Sequence, residues 1–289
     1  VNTISNNDTS GGIAKSMADT ITEFSDLWES NSYDLVFVLG DRYEMFAAAS
    51  STIPFNIPLA HLHGGETTLG AIDDKFRHAI TAMSTYHFTS SEEHKKRVID
   101  IIGTDKNVFN VGTLSLEFIN DLNITPKHTN NILFCYHPET VNLNNEESIN
   151  DVCDALDSID ATFTVLLPNN DTDHNVVRDI IQKRLVGSKY KISKALSYNE
   201  YYTELANCKC MLGNSSSGIY EAASFGKYAI NIGDRQKGRN TGGNVIHCSI
   251  SKDEIIKSYN KIDSLGEWGG GNIYYKPETS NKIIKVVND

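Results

Sequence analysis

Residues 34–77 read DLVFVLGDRYEMFAAASSTIPFNIPLAHLHGGETTLGAIDDKFR. The run Asp34–Leu39 (DLVFVL) is almost continuously apolar, as in a strand covered on both faces. Gly40-Asp41 then turns the chain into a helix over about 43–51, which Pro54 ends. Ile57–Leu62 (IPLAHL) is the next apolar run. Strand, helix and strand in close succession make a βαβ unit and therefore a parallel sheet. Just after these runs come Asp41, Arg42, Glu44, His61, His63, Glu66, Asp73, Asp74, Lys75 and Arg77. In an open α/β sheet the carboxyl ends of the strands are where ligands bind, so this cluster is a candidate site.

The same alternation extends in both directions. Upstream, Ile13, Met17, Ile21, Phe24, Leu27 and Trp28 have the spacing of a helical face. Downstream, a helix is predicted over 73–84, with Phe76, Ile80 and Met83 on one side. A short strand follows at His87–Thr89, then a helix capped by Ser91, then a strand over 107–111. Between 115 and 131 the apolar pattern thins, and the alternation then restarts with strands at 132–136, 163–167, 190–192, 210–212 and 228–232. Helices are expected before the second of these (Ile149, Val152, Leu156, Ile159), around Tyr198–Leu205, and over 252–262 and 280–287. The expected architecture is α/β, with an N-terminal domain over 1–122 and a C-terminal domain over 123–289 facing each other across a cleft. The chain opens on a polar loop at Val1, and one or two βα units are expected upstream of it.

The 289 residues carry a formal net charge of −11, which argues against nucleic acid or an anionic membrane surface as main partner. No apolar run reaches the roughly 18 residues of a membrane span. Five cysteines, odd in number and irregularly spaced, read as reduced thiols of a cytoplasmic protein.

Each chemical candidate has a structural counterpart. Asp41 is either a helix N-cap or a carboxylate held for proton transfer. His61 and His63 alternate along one strand and are expected on one face. With Glu66 they could ligate a metal, or they are simply hydrogen-bonded. Gly64-Gly65 would let the backbone approach a ligand closely, which leaves Glu66 well placed as an acid or base. Asp73 and Arg77, four apart on a helix, make either a surface ion pair or a guanidinium that orients a carboxylate. His137 ends a strand and would face the cleft from the second domain. In the second half, Gly213-Asn214-Ser215-Ser216-Ser217-Gly218 precedes a helix predicted over 219–225. It reads as a Ser-rich cap or as an anion cradle. Arg235, Lys237 and Arg239 in a Gly-rich loop point to a diphosphate.

The strings VLGDRYEMFAAAS, HLHGGETTLGAIDDKFRHAIT, YHPET and GNSSSGIYEAASFGK, followed by GDRQKGRNTGGNV, resemble the UDP-N-acetylglucosamine 2-epimerase family. They look most like its hydrolysing branch, which makes N-acetylmannosamine for sialic acid and related nonulosonic acids. The resemblance runs from about Asp34 to Val245 with the motifs in the family's order. It implies a GT-B fold of two Rossmann-like domains, with UDP held at Ser215, Ser216, Ser217 and Gly218. Glu221 would bond the ribose hydroxyls, and Arg235 would lie near the diphosphate or uridine. It places Asp41, Asp73, Arg77 and His137 among the catalytic positions. It also implies a UDP-sugar substrate, no cofactor, no required metal, and a homodimer or homotetramer. One departure is local: where non-hydrolysing relatives carry the glutamate of H-x-E, this chain has His63, and the acid is Glu66 three residues on. That leaves the proton-transfer role open between the two. The family's N-terminal strand and basic phosphate-contacting loop are expected before Val1.

Overall fold

The computed structural model describes residues 9–68, 72–122, 124–127, 129–139, 144–168, 174–193 and 195–289. Val1, residues 69–71 of the first motif and Thr140 of YHPET lie outside the described residues. The chain divides into two compact units. The first comprises Val1–Glu117 with Lys276–Asp289, and the second Phe118–Tyr275.

The first unit runs α1 (Ser10–Ser30), β1 (Val36–Leu39), α2 (Tyr43–Ser51), β2 (Leu59–Leu62), α3 (Asp73–Met83), β3 (Tyr86–Thr89), α4 (Glu92–Ile102), β4 (Val108–Asn110) and α5 (Leu114–Glu117). The second unit holds β5 (Asn131–Cys135), α6 (Asn145–Ser158), β6 (Thr162–Leu166), α7 (His174–Arg184), β7 (Tyr190–Ser193), α8 (Tyr198–Asn207), β8 (Cys210–Gly213), α9 (Ser217–Tyr220), β9 (Tyr228–Ile232), β10 (Val245–Cys248) and α10 (Lys252–Leu265). The last helix, α11 (Thr279–Asn288), returns to the first unit, whereas the sequence boundary at 122/123 assigned it to the second. Its apolar side explains the return. Ile283 packs with Ala60, Phe88 and Val111, and the Thr279 hydroxyl donates to the Val111 carbonyl at 2.8 Å.

The first sheet has order β1-β2-β3-β4, all parallel. Strand alternation sorts its residues into two layers. Val38 and Leu59 pack with Ala49 of α2 and Ile80 of α3, while Ala60 and Phe88 face α11. On β1 the second layer stops short. Phe37 is 47% and Leu39 56% exposed, so this strand is not covered on both faces as its apolar run suggested. Helix α1 also departs from its apolar periodicity. The buried positions are Gly12, Ser16, Thr20 and Trp28, whereas Ile21 is exposed. Small side chains at that spacing give close access to α2, and the Trp28 indole donates to the Ser51 hydroxyl at 2.8 Å.

The second sheet has order β10-β9-β8-β5-β6-β7, again all parallel. Counted within the unit this is 3-2-1-4-5-6, with the reversal between β5 and β8. Its core is the larger one. Ile132, Phe134, Phe163, Val165 and Leu212 are buried together with Ile149, Val152 and Leu156 of α6, as the period-3.6 spacing required. Helix α8 starts on a complete capping box between Ser197 and Glu200. Three elements, α5, α7 and β10, carried no expectation. β10 is a short edge strand with mixed burial, and a hydrophobic pattern does not mark such a strand. The five cysteines are unpaired. No helix among the described residues is long and apolar enough to cross a membrane.

Candidate active site

In the first unit the charged cluster assembles around Arg77. This guanidinium is buried. It pairs with Asp41, from the turn after β1, and with Asp74 one helical turn away at 3.3 Å. The expected Asp73–Arg77 pair is not formed. Asp74 lies at i−3 on α3, and it also accepts the Thr68 N–H at 2.8 Å. The capping reading of Asp41 is not realised either. The N-cap of α2 is Arg42, with no side-chain cap, and Asp41 directs its carboxylate to Arg77. Asp73 stands in the same electrostatic neighbourhood. Burial first, and then the charge of Asp41, raise its carboxyl above the ordinary value. Two acids of unlike environment, one ion-paired and one pushed toward the protonated form, are the arrangement that separates acid and base roles.

The H-x-H pair divides. His61 is fully buried at the end of β2. One ring nitrogen lies 2.9 Å from the Gly40 carbonyl and the other 3.2 Å from the Thr81 hydroxyl. Burial lowers its pKa to about 3, so it is a neutral strut under the Gly40–Asp41 turn. His63 lies one residue beyond β2 with φ +64°, which breaks the alternation. Its Nδ1 is 2.7 Å from Glu66 Oε1. The two imidazoles therefore do not share a face. Gly64 and Gly65, which follow His63, are tightly packed. A Cβ at Gly65 (φ +79°) would lie 2.3 Å from the His94 carbonyl oxygen of α4. Among the described residues no group of three or more His, Cys, Asp or Glu converges as metal ligands would.

In the second unit the site lies at the β5/β8 reversal. A cavity of about 360 Å³ is lined by Cys135, His137, Leu166, Leu167, Ala195, Leu196, Tyr201, Ser215, Ser217 and Glu221. Asn214 holds the two strand ends together. It accepts the His137 N–H at 2.7 Å, donates to the His137 carbonyl at 2.8 Å, and its own carbonyl accepts from Gln236 at 2.7 Å. Gly213 (φ +138°) makes this closeness possible, since a Cβ there would lie 1.9 Å from the Cys135 carbonyl oxygen. Ser217 bonds both Tyr201 and Glu221, so its hydroxyl belongs to the Glu221 side of the cavity. Burial raises the Glu221 carboxyl. The expected helix over 219–225 is interrupted at Glu221. α9 is only four residues long and is followed by a 3-10 turn, so a strong helix dipole is not available to an anion here. The basic loop also separates. Arg235 donates to the Pro138 carbonyl at 3.2 Å, beside His137, whereas Arg239 bonds and stacks on Tyr220 and Lys237 pairs with Asp234 at the surface. Sequence reasoning missed Asn214, Gln236 and Tyr201. Only Asn214 had a visible signal, its place between an apolar strand and the serines.

Residues 2–288 match the family model described as UDP-N-acetylglucosamine 2-epimerase. The chain belongs to the UDP-N-acetylglucosamine 2-epimerase family. It is 37% identical to the GDP/UDP-N,N'-diacetylbacillosamine 2-epimerase (hydrolyzing) of Campylobacter jejuni, over 89% of this chain and 71% of that protein. It is 36% identical to the polysialic acid biosynthesis protein P7 of Escherichia coli, over 96% and 75%. The fold is that of the GT-B epimerases. The Neisseria meningitidis UDP-GlcNAc 2-epimerase bound to UDP-GlcNAc superimposes with a TM-score of 0.81 at 18% identity, covering 99% of this chain and 84% of that one.

Proposed function

We propose that the chain is a hydrolysing UDP-sugar 2-epimerase that converts UDP-N-acetylglucosamine and water to N-acetylmannosamine and UDP. The observation that carries this reading is the cavity at the β5/β8 reversal, walled by Ser215, Ser217 and Glu221, in a chain that matches the epimerase family along its length. Its size is within the range of small-molecule sites. The hydrolysing character is supported by the name of the Campylobacter relative.

In this reading the backbone N–H groups of Ser215 and Ser216, the Ser215 and Ser216 hydroxyls and Arg235 hold the diphosphate, and Glu221 accepts from the ribose hydroxyls. Asp41, Asp73, His63 and Glu66 serve the sugar, with Arg77 orienting Asp41. His137 lines the nucleotide cavity. The C2–H of the sugar is not next to a carbonyl and is weakly acidic, so departure of UDP leads. The C1–O bond breaks with its electron pair going to the diphosphate, and positive charge develops at C1. Carboxylates stabilise that charge. The C2–H bond then breaks, its pair forming C1=C2 of a 2-acetamidoglucal. Water adds its oxygen to C1 while a proton reaches C2 from the opposite face, which inverts that carbon.

A second reading keeps the chemistry and changes the sugar to UDP-2,4-diacetamido-2,4,6-trideoxyglucose, favoured by the name of the Campylobacter relative. Incubation with each nucleotide sugar in D₂O, followed by ¹H and ³¹P NMR, tests both. The expected result is free sugar with deuterium at C2 and UDP. Formation of an epimeric UDP-sugar without free sugar, or no consumption of either substrate, refutes the hydrolysing assignment.

A further inference from the structure

We propose that His63 carries the proton on one face of C2 and that Glu66 is a positioning residue behind it. This rests on the epimerase reading above and decides a role that the sequence left open between the two.

His63 is pinned at its backbone, where its N–H donates to the Phe88 carbonyl at 2.9 Å. Its left-handed conformation swings the ring away from His61 and onto Glu66. Glu66 Oε1 is shared, because the Ser90 hydroxyl also donates to it at 2.7 Å. Ser90 Oγ lies 2.9 Å from His94 Nδ1. Ser90 has one hydrogen, and Glu66 takes it, so His94 must be the donor to Ser90. That is consistent with His94 being buried and neutral, its pKa lowered to about 4. The hydrogens of this chain therefore all point at Glu66. Burial opposes its charge, yet the hydrogen bonds from His63 and Ser90 hold its carboxyl well below the usual range. An ionised carboxylate only accepts, so neutral His63 must place its hydrogen on Nδ1. Nε2 is left as a bare lone pair and makes no hydrogen bond among the described residues.

Exposure orders the two groups. The His63 side chain is 19% exposed and that of Glu66 9%, so the ring stands in front. An imidazole whose tautomer is set by a buried carboxylate is a general base aimed through its far nitrogen. During elimination Nε2 takes the C2 proton, and Glu66 stabilises the imidazolium formed. Because C2 is inverted, the returning proton arrives at the other face from a different donor, and a carboxyl of the Asp41–Asp73 group supplies it. The titratable groups that interact with His63 are Glu66, His61 and His94.

The test uses the full chain, with His63→Asn (a residue that tolerates the left-handed backbone) and Glu66→Gln. His63→Asn is expected to lower kcat by about 10²–10⁴-fold at every pH. Glu66→Gln, whose amide oxygen can still accept from Nδ1–H, is expected to cost less. ¹⁵N NMR of the substrate-free protein should show His63 protonated on Nδ1 in the wild type and on Nε2 in Glu66→Ala. UDP binding and Trp28 fluorescence report whether each variant is folded. A larger loss in Glu66→Gln than in His63→Asn, or Nε2–H in the wild type, overturns the dyad. If the wild type consumes neither UDP-sugar, the reaction itself is wrong.

Discussion

The two units place their sites at the same point of the fold, the carboxyl ends of parallel strands, and fill it differently. In the first unit the turns after β1 and β2 and the first turns of α3 carry ionised and titratable side chains that hold one another: Arg77 between Asp41 and Asp74, and Glu66 behind His63. In the second unit the strand ends are joined by a neutral clamp, Asn214, and offer hydroxyls and main-chain groups. Charge suits proton transfer and stabilisation of a cationic ring. Neutral donors suit an anionic, chemically inert tail. In the proposed reading chemistry and affinity separate by unit, and the following outcomes can break that separation.

Asp41→Asn should reduce turnover by about 10²–10⁴-fold while leaving the UDP dissociation constant unchanged, as read by product NMR and UDP titration. Parallel losses in both would join the units functionally. Phe134→Ala, in the middle of β5 where exposure is zero, should cost about 3–5 kcal/mol of unfolding free energy in a denaturant titration.

Acid should act on the first unit before the second. Burial holds His61 at about 3 and His87 and His94 at about 4, below the ordinary 6.5. Between those values the unfolded chain binds more protons than the folded one, so stability is complete above pH 6.5 and is lost as pH falls toward 4. Each such histidine contributes up to about 1.4 kcal/mol per pH unit. The two tryptophans, Trp28 in the first unit and Trp268 in the second, separate the signals. With Trp268→Phe, the Trp28 transition should shift to lower denaturant at pH 5, and with Trp28→Phe the Trp268 transition should shift less.

Glu221→Gln should weaken UDP binding about ten-fold with kcat at saturation little changed, since it removes a charged acceptor from the binding unit. The smallest effect is expected on β1. Leu39→Thr should fall within about ±0.5 kcal/mol, because its side chain is 56% exposed although it belongs to an apolar run as strong as that of β5.

Much of the fold was legible because its signals are local. The α6 face at Ile149, Val152 and Leu156, the Ser91 cap and the strand at Tyr228–Ile232 depend on spacing and on adjacent residues, and all appear where the pattern put them. The Ser-Gly run was also readable because it follows a strand end, whereas Glu221 was marked only by the family resemblance. By itself the sequence determined two runs of βα units, the polar turns on which a site could form, and the family motifs in order. Tertiary structure alone decided which groups in those turns meet. Arg77 reaches Asp41 across 36 positions rather than its neighbour Asp73, and His63 turns from His61 to Glu66 through one left-handed residue. It also decided that Ser16 and Thr20, not Ile21, face the body of the first unit. The physical reason is common to these cases: periodicity reports which side of an element is apolar, whereas ion pairs, tautomers and burial depend on what another element brings opposite.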